Sequence, residues 1–402
     1  MSRLLNGKHI VLGVCGGIAA YKAIELARDL TLAGALVDVM LTRSALEFLK
    51  PLPFETLTRR KVYSEVFVPW TDDLHGHISM AERADAMIVA PATANTIAKL
   101  AHGMADDMLT VSALACTAPL IVAPAMDHNM YLHPATQENL RILRERGVRL
   151  IGPERGPLAS GAIGFGRLSP VDRLTEAVRA ACAVNGSLAG KRVVVSAGPT
   201  RESIDPIRFV SNRSSGKMGY QIADAFLDAG ALVTLVSGPT ALRPPGEATV
   251  VSVESAHEMA GAVAEAVLDA DVLVMAAAVA DYRPAEVATQ KIKKSDADLA
   301  LRMERTIDIL ASTRRPGLLK VGFAAETHDL LASARDKLAR KQLDLIVANE
   351  GPATMGSDES RAYVLTRDHE PEELSLMPKS DLAQIIVERV IQLLNDAATG
   401  PQ

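Results

Sequence analysis

Tryptophan is almost missing from this chain, one residue in 402, and aromatic residues together make up only 3%. Stacking platforms for single-stranded nucleic acid need such rings, so that partner is not expected. Apolar runs are short: stretches such as Val272–Ala280 fall well below the ~20 residues that span a bilayer, so no membrane partner is expected. The opening MSRLLNGKHIVLG has no apolar segment ahead of its first strand-like run, which gives the expectation of no signal peptide. Cysteine is scarce as well. Cys15, Cys116 and Cys182 show no metal or redox spacing, and an odd count fits the reducing cytoplasm. Neither sign of charge dominates, with 43 basic against 48 acidic residues. That balance argues against nucleic acid or an anionic membrane as the main partner. Disorder is expected only in the tail, Ala397 to Gln402.

The length of 402 residues allows two or three domains, each with its own core. Short β-branched or aliphatic runs recur along the chain: Ile10–Gly13, Val37–Leu41, Ala86–Ala90, Leu120–Ala123 and Val148–Ile151. Helical patterns separate most of them, such as Ala19–Ala33 and Thr93–Ala101. The same scheme returns at Val193–Ser196, Val233–Val236, Val272–Ala276, Leu319–Phe323 and Leu345–Ala348. This alternation predicts two tandem three-layer α/β units of Rossmann-like type, built on mainly parallel sheets.

Short strings recur too. AGALV stands at 33–37 and at 229–233, and ADAMIVA at 84–90 parallels ADVLVMA at 270–276. Duplication and convergence both account for this. NGSLAG ahead of Lys191 marks the boundary, giving units of 1–186 and 187–402. The Pro/Gly/Ser-rich stretch Gly152–Pro170 reads as a long loop inside the first unit, of the kind that forms lids.

Two loops carry the chemistry. In the first, GGIAAYK at 16–22, Gly16 and Gly17 end strand one and open a helix. Such a turn brings backbone N–H groups to a phosphate at the helix N-terminus. The GxGxxG spacing is absent, and strand two runs into Thr42-Arg43-Ser44 rather than a ribose-binding carboxylate, so a mononucleotide fits better than NAD. A plain packing turn is the alternative reading of the glycine pair. Thr93 and Asn95 sit at a later strand end and helix start, PAMDHNMY follows strand four at 124–131, and His77 precedes the helix leading to strand three.

Together these strings resemble the homo-oligomeric flavin-containing cysteine decarboxylases over about residues 5–180. The resemblance implies a flavodoxin-like fold, FMN contacted by Gly17, Ile18, Thr42 and Thr93, with Gly16 and Asn95 beside them, and His77 as catalytic base. It also implies a mechanism: the flavin oxidises the substrate thiol to a thioaldehyde, that group takes up the electrons as CO₂ leaves, and the enethiolate is then reduced and protonated. Two positions depart from the family pattern. Asp127 replaces the Asn of PxMNxxM, and Ser160 replaces the Cys of the substrate clamp, here Ala159-Ser160-Gly161 with the matching Gly164, Gly166 and Arg167. A thiol donates a proton near neutrality far more readily than a hydroxyl. Ionised Asp127 accepts hydrogen bonds but does not donate them. An active decarboxylase with another donor, and a flavin-binding assembly module with impaired decarboxylation, both remain open.

The second loop is SNRSSGKMG at 211–219. Arg208, Asn212, Arg213, Ser214, Ser215 and Lys217 gather with Gly216 and Gly219, a composition suited to an anion. It is not a Walker A loop, because Met218 follows Gly-Lys. A second cluster pairs Asp281 with Lys291, Lys293 and Lys294 and suggests a nucleoside triphosphate with Mg²⁺. AGPTRE, SNRSSGKMG, AAAVADYRP, KIKK, VGFAAET and DLIVAN resemble phosphopantothenate–cysteine ligase over about residues 190–390. The order of the two units is similar to the bacterial bifunctional proteins of coenzyme A synthesis. The resemblance implies that CTP lies along Met275, Ala276, Ala277, Asp281, Lys291, Phe323, Lys337 and Lys341, near Thr306, Ile307, Asp308 and Ile309. Lys291 would stabilise charge as the substrate carboxylate attacks the α-phosphate, and Asn212 and Arg208 would hold 4′-phosphopantothenate and its acyl-cytidylate. Mg²⁺ would be held mainly by the CTP phosphates. A homo-oligomer follows as well, a dimer through the second unit with higher assembly through the first.

Overall fold

Most of the apolar runs became strands buried on both faces, as helix-covered parallel sheets require, while the edge strand Arg149–Leu150 is only half-buried. The computed structural model describes residues 5–67, 76–184, 186–294, 299–326, 329–350, 356–367 and 369–399. The chain divides between Val184 and Asn185 into two compact units.

The first unit runs β1 (His9–Val14), α1 (Lys22–Leu32), β2 (Leu36–Leu41), α2 (Pro51–Thr58), β3 (Val62–Tyr63), α3 (Gly76–Arg83), β4 (Ala86–Ala92), α4 (Ala94–His102) and α5 (Met108–Ala115). It continues through β5 (Leu120–Pro124), α6 (His128–Leu132), α7 (Pro134–Glu145), β6 (Arg149–Leu150), β7 (Glu154–Pro157), β8 (Ile163–Arg167) and α8 (Val171–Ala183). Its sheet has the order β3-β2-β1-β4-β5-β6, and every pairing is parallel. Leaving aside the two-residue edge strand β3, this is the flavodoxin-like order, with its switch point between β1 and β4. Separate cores fill the two faces, one holding Leu12, Leu26 and Phe54, the other Met40, Met87 and Ile97.

The second unit contains β9 (Arg192–Ala197), β10 (Arg201–Ser203), β11 (Phe209–Ser211), α9 (Lys217–Asp228), β12 (Leu232–Ser237), β13 (Thr249–Ser252), α10 (Ala256–Ala266), β14 (Val272–Met275), β15 (Tyr282–Pro284) and β16 (Met303–Arg305). Then come α11 (Ile309–Ser312), β17 (Leu319–Glu326), α12 (Leu330–Arg340), β18 (Leu345–Glu350), β19 (Glu359–Thr366), β20 (Glu372–Pro378) and a C-terminal helix, Lys379–Thr399. The sheet order is β13-β12-β9-β14-β17-β18-β19-β20. It is parallel as far as β18, and β19 and β20 add antiparallel.

The shared strings mark shared devices. In each AGALV copy the glycine ends a helix at positive φ, Gly34 at 97° and Gly230 at 89°, where a side chain would be strained. In each AD copy the aspartate anchors the start of the first strand. Asp85 accepts from His9 N at 2.8 Å and pairs with Lys8, and Asp271 accepts from Arg192 N at 2.8 Å and pairs with Lys191.

Two expectations are corrected. The stretch 152–170 is not a structureless loop: β7 and β8 form a hairpin within it. Gly164 and Gly166 are its buried positions, alternating with exposed Ile163, Phe165 and Arg167, so the glycines that suggested a loop are what lets a strand lie close against its neighbours. Of the tail expected to be disordered, residues 397–399 continue the C-terminal helix, whose earlier turns are buried at Leu382, Ile386 and Val390. Residues 400–402 lie outside the described residues.

Candidate active sites

The switch point of the first sheet collects the expected residues at the carboxyl ends of its strands. Gly16 is forced by packing: a Cβ there would stand 2.4 Å from both the carbonyl carbon and oxygen of Ser44. Gly17 is the opposite case. Its backbone is extended, with φ −178°, and a Cβ would meet nothing within 4 Å. Ile18 beside it is 67% exposed. The loop is thus sealed on the Gly16 side and open on the Gly17 side, as a backbone cradle for a phosphate would be.

Thr42 accepts from Ala45 N at 3.2 Å and fixes the turn after β2. Thr93 is the N-cap of α4, accepting from Thr96 N, and Asn95 is exposed in the same first turn. Beneath them lies Cys15, 1% exposed, donating through Sγ to Thr96 Oγ1 at 3.2 Å. Burial pushes its thiol up to about 11, so it is a packing residue rather than a nucleophile. His77 is half-buried in the first turn of α3.

The two departures from the family pattern meet each other. Asp127 is the N-cap of α6, its Oδ1 accepting from Asn129 N at 3.0 Å. Its Oδ2 accepts from Ser160 Oγ at 2.9 Å. The N–H of Asn129 and then the Ser160 hydroxyl hold this carboxyl below its ordinary range. The hairpin carrying Ser160 is seated on the same segment. Phe165 N donates to His128 Nδ1 at 3.1 Å, and Met126 N donates to Gly166 O at 3.0 Å. A Cβ at Gly166 would lie 2.0 Å from Met126 O.

In the second unit three glycine turns press together at the ends of β9 and β12. Gly198 and Gly216 both have positive φ and both face the Thr240 methyl, while a Cβ on Gly238 would strike Pro199 O at 2.0 Å. Gly198 and Gly238 were not singled out in the sequence, because their role is contact between distant backbones. A cavity of about 160 Å³ opens beside them, lined by Ser214, Ser215, Gly216, Lys217, Met218, Ala276, Ala277, Phe323 and Lys379 among others. It therefore joins SNRSSGKMG to three residues expected to bind CTP. Lys217 reaches Asp358 at 2.7 Å, and Lys379, 7% exposed, donates to Ser357 O at 2.8 Å. Burial, and then the Lys217 charge, lower the Lys379 ammonium from its ordinary value. Lys379 was missed by sequence reasoning, since a lysine at a helix start has no signature of its own.

Asn212 donates to the carbonyls of Ala278 at 3.1 Å and Val279 at 3.2 Å, locking its own loop to the end of β14. Thr306 donates through its hydroxyl to Ala280 O and through its N–H to Asp281 O. Asp308 caps α11 and pairs with Lys341 at 2.9 Å, which joins two of the expected CTP segments. The Lys341 ammonium and other contacts keep the Asp308 carboxyl low against the opposing effect of burial. Lys337 lies one turn earlier on α12, Lys291 and Asp281 are exposed, and Ile307 is 48% exposed. Met275 and Ile309 differ: at 6% and 4% exposure their side chains belong to the core, so only their backbones can meet a ligand. Arg208, with its side chain 43% exposed, is engaged with Asp205 and Ile292 through Nε and Nη2.

Among the described residues no group of three or more His, Cys, Asp or Glu side chains could hold a metal ion, and no helix is long and apolar enough to cross a membrane.

Residues 1–183 match the family described as Flavoprotein, and residues 188–394 match the DNA/pantothenate metabolism flavoprotein C-terminal domain. The coenzyme A biosynthesis bifunctional protein CoaBC of Bacillus subtilis is 44% identical over 398 residues, covering 97% of this chain and 98% of that protein. Its counterpart in Escherichia coli is 43% identical over 399 residues, covering 96% of this chain and 97% of that protein. A crystal structure of the C-terminal domain of a CoaBC protein is 42% identical, covering 53% of this chain and 100% of that one, with a TM-score of 0.47. The chain belongs to the CoaBC family of bifunctional coenzyme A biosynthesis proteins.

Proposed function

We propose that the chain carries out two consecutive steps of coenzyme A synthesis in the cytoplasm as a homo-oligomer. The second unit (187–402) joins cysteine to 4′-phosphopantothenate at the expense of CTP, with Mg²⁺ on the triphosphate. The first unit (1–186) decarboxylates the product to 4′-phosphopantetheine with FMN. The observation that supports this reading is that the Gly17 backbone is open at the carboxyl end of β1, while in the second unit the SNRSSGKMG loop shares a cavity with Ala276, Ala277 and Phe323.

In the second unit the backbone of Ala276 and Ala277, with Phe323 and the Ser214–Gly216 turn, receives the nucleotide. Lys291 neutralises charge on the α-phosphate as the substrate carboxylate attacks it, Lys217 and Lys379 face the cavity as further cations, and Lys337 and Lys341 serve the nucleotide from α12. Asn212 holds the acyl-cytidylate until the cysteine amine displaces CMP.

In the first unit Gly17 and Ile18 offer backbone to the FMN phosphate, and the Thr42 and Thr93 turns bound the cradle. FMN would supply a reversible two-electron acceptor for the substrate thiol. His77 takes up the thiol proton, and the β7–β8 hairpin covers the substrate and excludes water.

A second reading keeps the ligase and makes the first unit a flavin-binding assembly module. The hydrogen bond from Ser160 to Asp127 favours it, because the hydroxyl proton is directed at a carboxylate. The test is to incubate the purified protein with CTP, Mg²⁺, phosphopantothenate and cysteine while following CMP, CO₂ and the flavin spectrum, with His77→Asn as control. CMP and CO₂ together, with CO₂ lost in His77→Asn, support the bifunctional reading. CMP without CO₂ supports the module, and neither product sinks both.

A further inference from the structure

We infer that Asp205 is a positioning residue for the ligase reaction, holding Lys291 in place by a clasp on the backbone of the residue that follows it. The inference rests on the ligase reading above.

Lys291 sits on a segment, 291–294, with neither helix nor strand. A long side chain on such a segment would spend most of its time away from a phosphate, because nothing local fixes its backbone. The structure supplies the missing restraint from 87 positions away. Asp205 stands in the turn between β10 and β11, and its side chain is 0% exposed. Its Oδ1 accepts from the N–H of Ile207 at 2.9 Å and of Arg208 at 2.8 Å, which shapes the turn. Its Oδ2 accepts from Arg208 Nε at 2.9 Å and from the N–H of Ile292 at 3.1 Å. Arg208 Nη2 in turn donates to the Ile292 carbonyl at 2.9 Å.

Both backbone polar groups of Ile292 are therefore captured by one ion pair, directly beside Lys291. A second tie, Ala288 N to Ile204 O at 3.0 Å, holds the same strap to the same turn. The Arg208 guanidinium, followed by three backbone N–H groups, keeps the Asp205 carboxyl ionised far below its ordinary range, so the clasp is closed at any working pH. Preorganised charge is what this chemistry needs, since a cation already in place costs no reorganisation when the α-phosphate gains charge.

The clasp also gives Arg208 a positioning part. Its Nε and Nη2 are engaged by Asp205 and Ile292, so part of its effect on the reaction runs through Lys291.

The test uses the full-length, FMN-loaded protein and follows pyrophosphate release from CTP with phosphopantothenate and cysteine both present, so that the acyl-cytidylate turns over. Asp205→Asn keeps the size of the side chain and removes the charge. Displacing a reacting group by about 1 Å costs on the order of 100-fold, so kcat is expected to fall by about 10- to 100-fold while KM for CTP and phosphopantothenate stays within about 2-fold. Arg208→Lys, which keeps a cation but loses the fork, is expected to show the same split. A rise in KM for phosphopantothenate with kcat retained would mean that these residues hold substrate, and would overturn the inference. So would an Asp205→Asn loss that persists undiminished in a Lys291→Gln background, because a residue acting through Lys291 has no further effect once Lys291 is gone. Amide hydrogen exchange at Ile292 reads the clasp apart from catalysis. Protection that is lost in Asp205→Asn supports it, and unchanged protection overturns it. A wild-type protein that releases no pyrophosphate would instead defeat the ligase reading, leaving the exchange result to decide whether the clasp exists.

Discussion

Alanine substituted at Gly16 and at Gly17 should give opposite results, although the two residues are neighbours. At Gly16 the new methyl would stand 2.4 Å from the Ser44 carbonyl carbon and oxygen and 2.5 Å from its Cβ. Two of these atoms are backbone, so the turn after β2 must move by more than half an ångström. Overpacking of this kind costs about 1–3 kcal/mol, against about 0.4–1 kcal/mol gained by stiffening the unfolded chain. The net is about 1–2 kcal/mol, which for a unit of this size lowers the melting temperature by about 2–8 °C. At Gly17 the backbone is already extended, at φ −178° and ψ 163°, and the methyl meets nothing within 4 Å. There only the unfolded-state gain applies, so the flavin-free protein should melt at the same temperature or slightly higher. The methyl would, however, occupy the face offered to the FMN phosphate, and flavin affinity should fall by about tenfold or more, the equivalent of one displaced hydrogen-bonded contact. The assay is thermal melting of flavin-stripped protein together with an FMN fluorescence titration. Equal destabilisation by both variants, or full FMN affinity in Gly17→Ala, would refute the division into a packed and an open glycine.

Four further outcomes follow from the same geometry. Asp127→Asn and Ser160→Cys should each change the decarboxylation rate, and their combined effect should depart from the sum by more than 0.5 kcal/mol in a double-mutant cycle, as expected for residues in contact; simple additivity would disprove the coupling. Because the Asp127 carboxyl is lowered when folded, its contribution is present above the unfolded value and is lost only as pH falls through the lower folded value, so the pH profile of CO₂ release should show no Asp127 inflection between pH 5 and 8. Cys15, raised from 9.0 to about 11, should resist iodoacetamide at pH 8 until the protein is unfolded; the same shift stabilises the fold fully below pH 9 and withdraws about 2–3 kcal/mol as pH rises through 11. Gly166→Ala, at φ 139° and 2.0 Å from Met126 O, should unseat the hairpin and abolish CO₂ release while CMP release continues.

The sheet cores were legible in the sequence because a strand buried on both faces writes itself as an unbroken aliphatic run. Val193–Ser196 and Leu345–Ala348 needed no partner to be recognised. Strands with one exposed face were not legible: β13, with its exposed Thr249 and Val250, and the polar hairpin β10–β11 lack that signature. The hairpin β7–β8 was hidden by its own glycines, which read as loop until Met126 and His128 are seen pressed against them. The site divides the same way. Residues that act through local backbone, such as Gly17 at a helix start, announce themselves by position. Asp205 and Lys379 act across 87 and 22 positions, and a single sequence carries no sign of such distances.

The pairing of Asp127 with Ser160 bears on how the first unit works. The residues lie 33 positions apart, and each departs from the family pattern, yet each supplies what the other requires. A carboxylate at 127 needs a donor, and a hydroxyl is a far better one than a thiol. A serine at 160 needs an acceptor, and an ionised carboxylate accepts more strongly than an amide oxygen. The pair therefore adds a charge-assisted tie between the clamp hairpin and the N-cap of α6. It also alters the chemistry beneath the clamp. A hydroxyl whose proton is directed at a carboxylate is a weaker acid than a free one, so on the decarboxylase reading the proton that ends the reaction comes from a group other than Ser160. On that same reading the carboxylate would meet the substrate's own carboxylate with like charge, a repulsion that would weaken substrate binding and be relieved as CO₂ leaves, moving effort from holding the substrate towards expelling its product. On the decarboxylase reading the hydrogen bond at 2.9 Å would thus exchange one acid for one source of electrostatic strain.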